Sequence, residues 1–66
     1  MEITVNGKTT NTASPLTVAG LLDSLGIKPA SVAVERNFRI IARAELEAEP
    51  IEEGDTIEII RLVGGG

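Results

Sequence analysis

The chain has 66 residues, with ten acidic side chains against six basic ones and a net charge of −4. A chain of this length forms one domain near the lower limit for a self-sufficient hydrophobic core, with no material left to wall off a deep catalytic cleft. The absence of cysteine, histidine, tyrosine and tryptophan excludes disulfides, thiolate metal sites, the commonest general base and the usual base-stacking rings, while the negative charge removes the counterion-release drive toward nucleic acid.

The opening MEITVNGK has no basic stretch leading into an apolar one, as a secretory signal would, and no apolar run approaches the roughly 20 residues of a membrane helix. The chain is therefore read as soluble and cytoplasmic, a monomer on its own, with neutral or basic proteins as partners and neither membrane nor nucleic acid among them. Glu2-Ile3-Thr4-Val5 alternates apolar and polar residues, and Asn6-Gly7 follows, the dipeptide that favours a two-residue hairpin turn. The return strand, Lys8 to Ala13, is rich in threonine, poor in large apolar groups and closed by Ser14-Pro15, which suits a sheet edge.

In LTVAGLLDSLGI, Val18, Leu21, Leu22 and Leu25 recur at i, i+3, i+4 and i+7, the apolar stripe of an amphipathic helix. The spacing predicts a helix over Val18 to Leu25, with Thr17 as N-cap, Leu16 and Leu21 as a hydrophobic staple, and Gly26 at the C-cap. Gly20 costs about 1 kcal/mol relative to alanine in a helix interior; it reads as a tolerated glycine or as a point of close approach to the sheet. Ser31 to Arg36 reads as a strand, and Asn37 begins a turn carrying the sole aromatic residue, Phe38, which is assigned to packing. Ile40 to Ala42 reads as a short strand, and Arg43 to Glu49 as one helical turn or an irregular loop, ended by Pro50.

Ile51 to Asp55 reads as a turn before the strongest strand, Thr56 to Val63. Ile57, Ile59, Arg61 and Val63 point to one face, Ile60 and Leu62 to the other. A strand apolar on both faces belongs in the middle of a sheet. One face goes under the helix; nothing else in so short a chain covers the second, whose apolar residues are expected to be partly exposed and to meet another protein. Ile60 on that face, with Leu62 and Val63 as residues adjoining the terminal glycines, are the candidate contacts. Arg61 is read as solvated, with pairing to Glu58 or to an acidic partner as the other option. Glu52, Glu53 and Asp55 are read as a polar turn, since no calcium-loop spacing surrounds them. Nothing in the sequence marks Lys8 or Lys28 for modification.

Placing the last strand centrally, parallel to the first, gives an α+β fold of the ubiquitin-like β-grasp kind, a mixed sheet of four to five strands packed on one main helix. Residues 1–63 form the domain and residues 64–66 a flexible glycine tail. Glycine loses more backbone freedom on ordering than any other residue and buries no side chain, so three at the end of a strand call for a reason. A cloning scar or a frayed end is one answer, and passage through a narrow channel in a partner is the other.

The opening ITVNGK, the helix TVAGLLDSLGI, the segment VAVERN, the turn EEGD and the ending IEIIRLVGGG, in that order, resemble the ThiS family of sulfur carriers of thiamine biosynthesis over the whole chain. The resemblance implies a carrier that is not itself an enzyme. Its Gly66 carboxylate would attack the α-phosphate of ATP on a ThiF-like adenylyltransferase related to ubiquitin-activating enzymes. Displacement of AMP by a persulfide sulfur donor would leave a thiocarboxylate on Gly66, for presentation to a ThiG-like thiazole synthase. Gly64 and Gly65 would be required for activation, and ATP and magnesium would be held by the partner, with no cofactor on this chain. Other functions remain open: a molybdopterin-synthase-type sulfur carrier, a ubiquitin-like protein modifier, and a binding module without terminal chemistry.

Overall fold

The computed structural model describes residues 1–63, so the assigned tail, Gly64 to Gly66, lies outside the described residues. In chain order the elements are β1 (Glu2–Val5), β2 (Lys8–Asn11), β3 (Leu16–Thr17), α1 (Val18–Ser24), β4 (Val32–Arg36), β5 (Arg39–Ile41), β6 (Pro50–Ile51) and β7 (Thr56–Arg61). Single 3₁₀ turns occupy Pro29–Ser31 and Arg43–Glu45. Five strands form one sheet in the order β2-β1-β7-β4-β5. β7 is central, parallel to β1 and antiparallel to β4, while β2 and β5 are the edges. This is the expected β-grasp topology, and β2 takes the edge its threonines suggested. β2 and β7 stop at Asn11 and Arg61, two residues short of the expected ends, and β5 runs one residue earlier than expected.

The ends of α1 follow from local chemistry. The Gly20 N–H donates to Thr17 Oγ1 at 3.1 Å, the N-cap bond that satisfies one of the orphan donors of the first turn. Two more orphans, the N–H groups of Val18 and Ala19, donate to the carbonyls of Glu49 and Leu46 at 3.0 and 2.9 Å. At the other end Leu25 is the cap rather than the last helical residue. Gly26 takes φ +70°, its N–H reaching Asp23 O at 3.0 Å while Ile27 N–H reaches Leu22 O at 2.9 Å, the paired bonds of a Schellman motif. A Cβ on Gly20 would meet Leu16 Cδ1 at 3.0 Å and Thr17 Oγ1 at 3.4 Å. The crowding comes from β3, the strand that enters the helix, and not from the five-stranded sheet.

The core lies between α1 and one sheet face: Val18, Leu21 and Leu22 pack with Ile3, Val32, Val34 and Ile57. Leu46 and Ile51 complete it, although their segments read as loop and turn. Ile51 sits in the two-stranded sheet where β6 pairs with β3, Leu16 opposite Ile51 and Thr17 opposite Pro50. That pairing ties the segment after β5 to the start of α1, which is why a stretch without apolar periodicity still contributes two core residues. Among the described residues no helix is long and apolar enough to cross a membrane.

Two turn asparagines grip the central strand from opposite sides. Asn6, at φ +49°, accepts from Ile59 N–H through Oδ1 at 2.7 Å and donates through Nδ2 to Ile59 O at 3.3 Å. Its side chain thus continues the β1 ladder beyond the last paired residues, Val5 and Ile57. Across the strand, Asn37 Oδ1 accepts from Thr56 N–H at 2.9 Å and its own N–H donates to Thr56 O at 2.8 Å.

Candidate functional site

Strand alternation and register define the sheet face turned away from the helix. Inward positions are Ile3 and Val5 on β1, Val32, Val34 and Arg36 on β4, and Ile57, Ile59 and Arg61 on β7. The outward set is Glu2, Thr4, Ala33, Glu35, Ile40, Thr56, Glu58 and Ile60. Ala33 stands opposite Ile60, and Ile40, Glu35 and Glu58 make one row across three strands. β7 keeps its contact with the neighbouring chain past its formal end, because Leu62 N–H donates to Ser31 O at 2.9 Å.

The three candidate contacts lie within four consecutive residues at the end of β7. Ile60 and Leu62 are exposed large apolar residues, and Val63 is 98% exposed. Gly64, Gly65 and Gly66 lie outside the described residues. Arg61 makes no ion pair among the described residues; it alternates to the face opposite Glu58, so pairing between those two is geometrically excluded.

Phe38 corrects the sequence reading. Assigned to packing, it is 79% exposed at the tip of the β4–β5 hairpin, and the neighbouring Ile40 is 75% exposed. The core is filled without the aromatic ring, Leu46 and Ile51 being among its members, and Phe38 lies in the turn beyond the last paired residues, Arg36 and Arg39.

Below the hairpin lies an ionic network that sequence reasoning missed. Asp55 is 7% exposed. Its carboxylate accepts from Arg36 Nε at 2.7 Å, Asn37 Nδ2 at 3.0 Å and the Glu52 N–H at 2.7 Å. Arg36 also pairs with Glu49 at 3.0 Å and Glu52 at 3.7 Å. The turn EEGD reads as polar surface from sequence; burial of its aspartate arises from the fold bringing β4 alongside, which no local pattern encodes. Glu53 is likewise occupied, accepting from the Glu2 N–H at 3.1 Å. No group of three or more potential metal-ligating side chains is placed to hold an ion among the described residues.

Burial pushes the Asp55 carboxyl up, but the hydrogen bonds from Arg36, Asn37 and Glu52 outweigh it and hold the group below its ordinary value. A depressed carboxylate stabilises the fold above its unfolded pKa of about 3.9, and that contribution is lost as pH falls through the lower folded value. Asp55→Asn is expected to cost about 1–3 kcal/mol at neutral pH, as when a buried partner is left unsatisfied. Its urea midpoint should also fall less steeply than that of the unmodified chain as pH drops below about 4.

A mixed five-stranded sheet with one helix across one face, and the other face open beside the tail root, defines a ubiquitin-like β-grasp domain. The family model described as the ThiS family matches residues 1–66, and the chain belongs to that family. The crystal structure of a thiamine biosynthesis protein (ThiS) from Geobacter metallireducens superposes with a TM-score of 0.88 at 35% identity, covering 100% of both chains. Thiazole synthases of Magnetococcus marinus and Paramagnetospirillum magneticum are 41% and 36% identical over all 66 residues. The chain spans only 20% of the length of each of these enzymes.

Proposed function

We propose that this chain is a sulfur carrier for assembly of the thiazole moiety of thiamine, acting as a protein co-substrate rather than an enzyme. One observation carries the reading: the family match extends through the final glycines, and the chain reaches them directly from the central strand, beside an open, partly apolar sheet face. That arrangement suits an arm held by a rigid platform.

The Gly66 carboxylate, with an intrinsic pKa of about 3.3–3.7, is ionised at neutral pH and needs no base from this chain to attack phosphorus. Attack on the α-phosphate of ATP, on a ThiF-like adenylyltransferase holding ATP and magnesium, expels pyrophosphate and leaves a glycyl adenylate. A persulfide sulfur then attacks the acyl carbon and expels AMP. A second thiol, acting as the reductant, then attacks the donor sulfur of the resulting acyl disulfide, breaking its S–S bond. The donor is left in a disulfide with that thiol and Gly66 carries the thiocarboxylate, which a ThiG-like thiazole synthase consumes. Gly64 and Gly65 present no Cβ to a narrow channel, so the backbone approaches the nucleotide closely. The similarity to a region within thiazole synthases supports the second partnership.

Intact mass spectrometry before and after incubation with ATP, magnesium, the adenylating enzyme, a persulfide source and a thiol reductant tests the reading. The expected result is the mass increment of exchanging one oxygen for one sulfur, localised by fragmentation to Gly66. Conjugation to lysines of other proteins would replace the carrier with a protein modifier, and an unchanged mass would leave a binding module.

A further inference from the structure

The chain solves the same local problem twice with different residues. Both hairpins of the main sheet close with a two-residue turn in the left-handed region, Asn6-Gly7 at φ +49° and +81°, and Asn37-Phe38 at φ +51° and +69°. Asn-Gly is the favoured pair for such a turn, and a bulky side chain at positive φ is a backbone outlier. Phe38 gains little burial in return, being 79% exposed. The turn keeps its shape because Asn37 is bonded to Asp55 and to both backbone groups of Thr56. Strain fixed by surrounding bonds and offset by no packing points to a use for the ring outside the molecule.

The adjoining face indicates what it meets. Glu35 and Glu58 are direct cross-strand partners, an arrangement that costs stability because like charges face each other. Neither has an ion-pair partner among the described residues, and no lysine or arginine occupies an outward position on β1, β4, β5 or β7. Ile40 extends the Glu35–Glu58 row toward the hairpin edge, and Ile60 and Leu62 continue the face toward the tail.

Resting on the carrier reading, we propose that Phe38 and Ile40 form a second anchor on the outer face, remote from the glycines. They seat in an apolar pocket of the adenylating enzyme, with arginine or lysine side chains of that enzyme opposite Glu35 and Glu58. An aromatic anchor beside charges neutralised only on binding has the make-up of an interface hot spot. The enzyme thereby reads the end of the sheet farthest from the residue it modifies.

Phe38→Gly separates this role from a structural one, because the two predict opposite signs. Glycine relieves the turn, so the thermal midpoint should rise by about 4–8 °C, while KM for the chain in ATP–pyrophosphate exchange on the adenylating enzyme should rise on the order of tenfold with kcat unchanged. Glu35→Gln with Glu58→Gln should raise KM at low salt and flatten its dependence on ionic strength. An unchanged KM for Phe38→Gly, with the unmodified chain active, overturns the anchor and leaves the carrier standing. No exchange with the unmodified chain overturns both.

Discussion

Deleting Gly65 and Gly66 is expected to abolish thiocarboxylate formation completely while leaving the fold untouched. The last described backbone contact of the strand is the bond from Leu62 N–H to Ser31 O, and Val63 is already almost fully exposed. Shortening the chain beyond that point removes no contact among the described residues, so the thermal midpoint and the spectroscopic signature of the sheet should match those of the full chain. The truncated chain still ends in a carboxylate. On the carrier reading it lacks reach: the acyl group would stop short of the α-phosphate, and proximity of the reacting atoms accounts for much of such a rate. Mass spectrometry of the truncated chain after the loading reaction should show no oxygen-to-sulfur exchange, and retained loading would remove the tail from the mechanism.

The second large effect is on stability and sits three residues from a position where little should happen. Ile57 is fully buried at the centre of the sheet, whereas Ile60, on the opposite face of the same strand, is 45% exposed. Truncating a buried isoleucine to alanine costs about 2–5 kcal/mol through lost transfer energy and the cavity left behind. A domain of this size has about 3–10 kcal/mol in reserve. Ile57→Ala should therefore leave a substantial unfolded fraction at 37 °C, seen as a loss of the cooperative transition in urea. Ile60→Ala should shift the same transition by less than about 1 kcal/mol, the surface range, and act on partner binding instead. Equal destabilisation by the two substitutions would contradict the two-faced reading of β7.

The difference between Ile57 and Ile60 was legible in the sequence, because period-two alternation separates the faces of any strand and a single helix covers only one of them. The helix and its caps were equally legible, since Thr17, the apolar stripe and Gly26 act within a few residues of one another. Leu46, Ile51 and Asp55 were not. Each owes its burial to a segment distant in the chain: Leu46 and Ile51 to the entrance of α1, Asp55 to Arg36. Phe38 failed for a related reason. Aromatic rings usually enter cores, and only the filled core shows that this one has no place there. At the tail root, Ile60 emerged from counting faces and Leu62 and Val63 from adjoining the glycines, while the acidic pair Glu35 and Glu58 required the register of β4 against β7, which depends on how the two strands are aligned.

The grip of Asn6 and Asn37 on β7 also has a mechanical consequence. A partner that draws on the C-terminus pulls along the axis of the central strand, which is flanked by β1 on one side and β4 on the other. Under such a load the ladder bonds on both sides are sheared together instead of being peeled off in turn, and the side-chain amide bonds to Ile59 and Thr56 add to the number that must yield at once. The strand that leads into the glycines is thus held from both sides, and tension on the C-terminus is shared with β1 and β4.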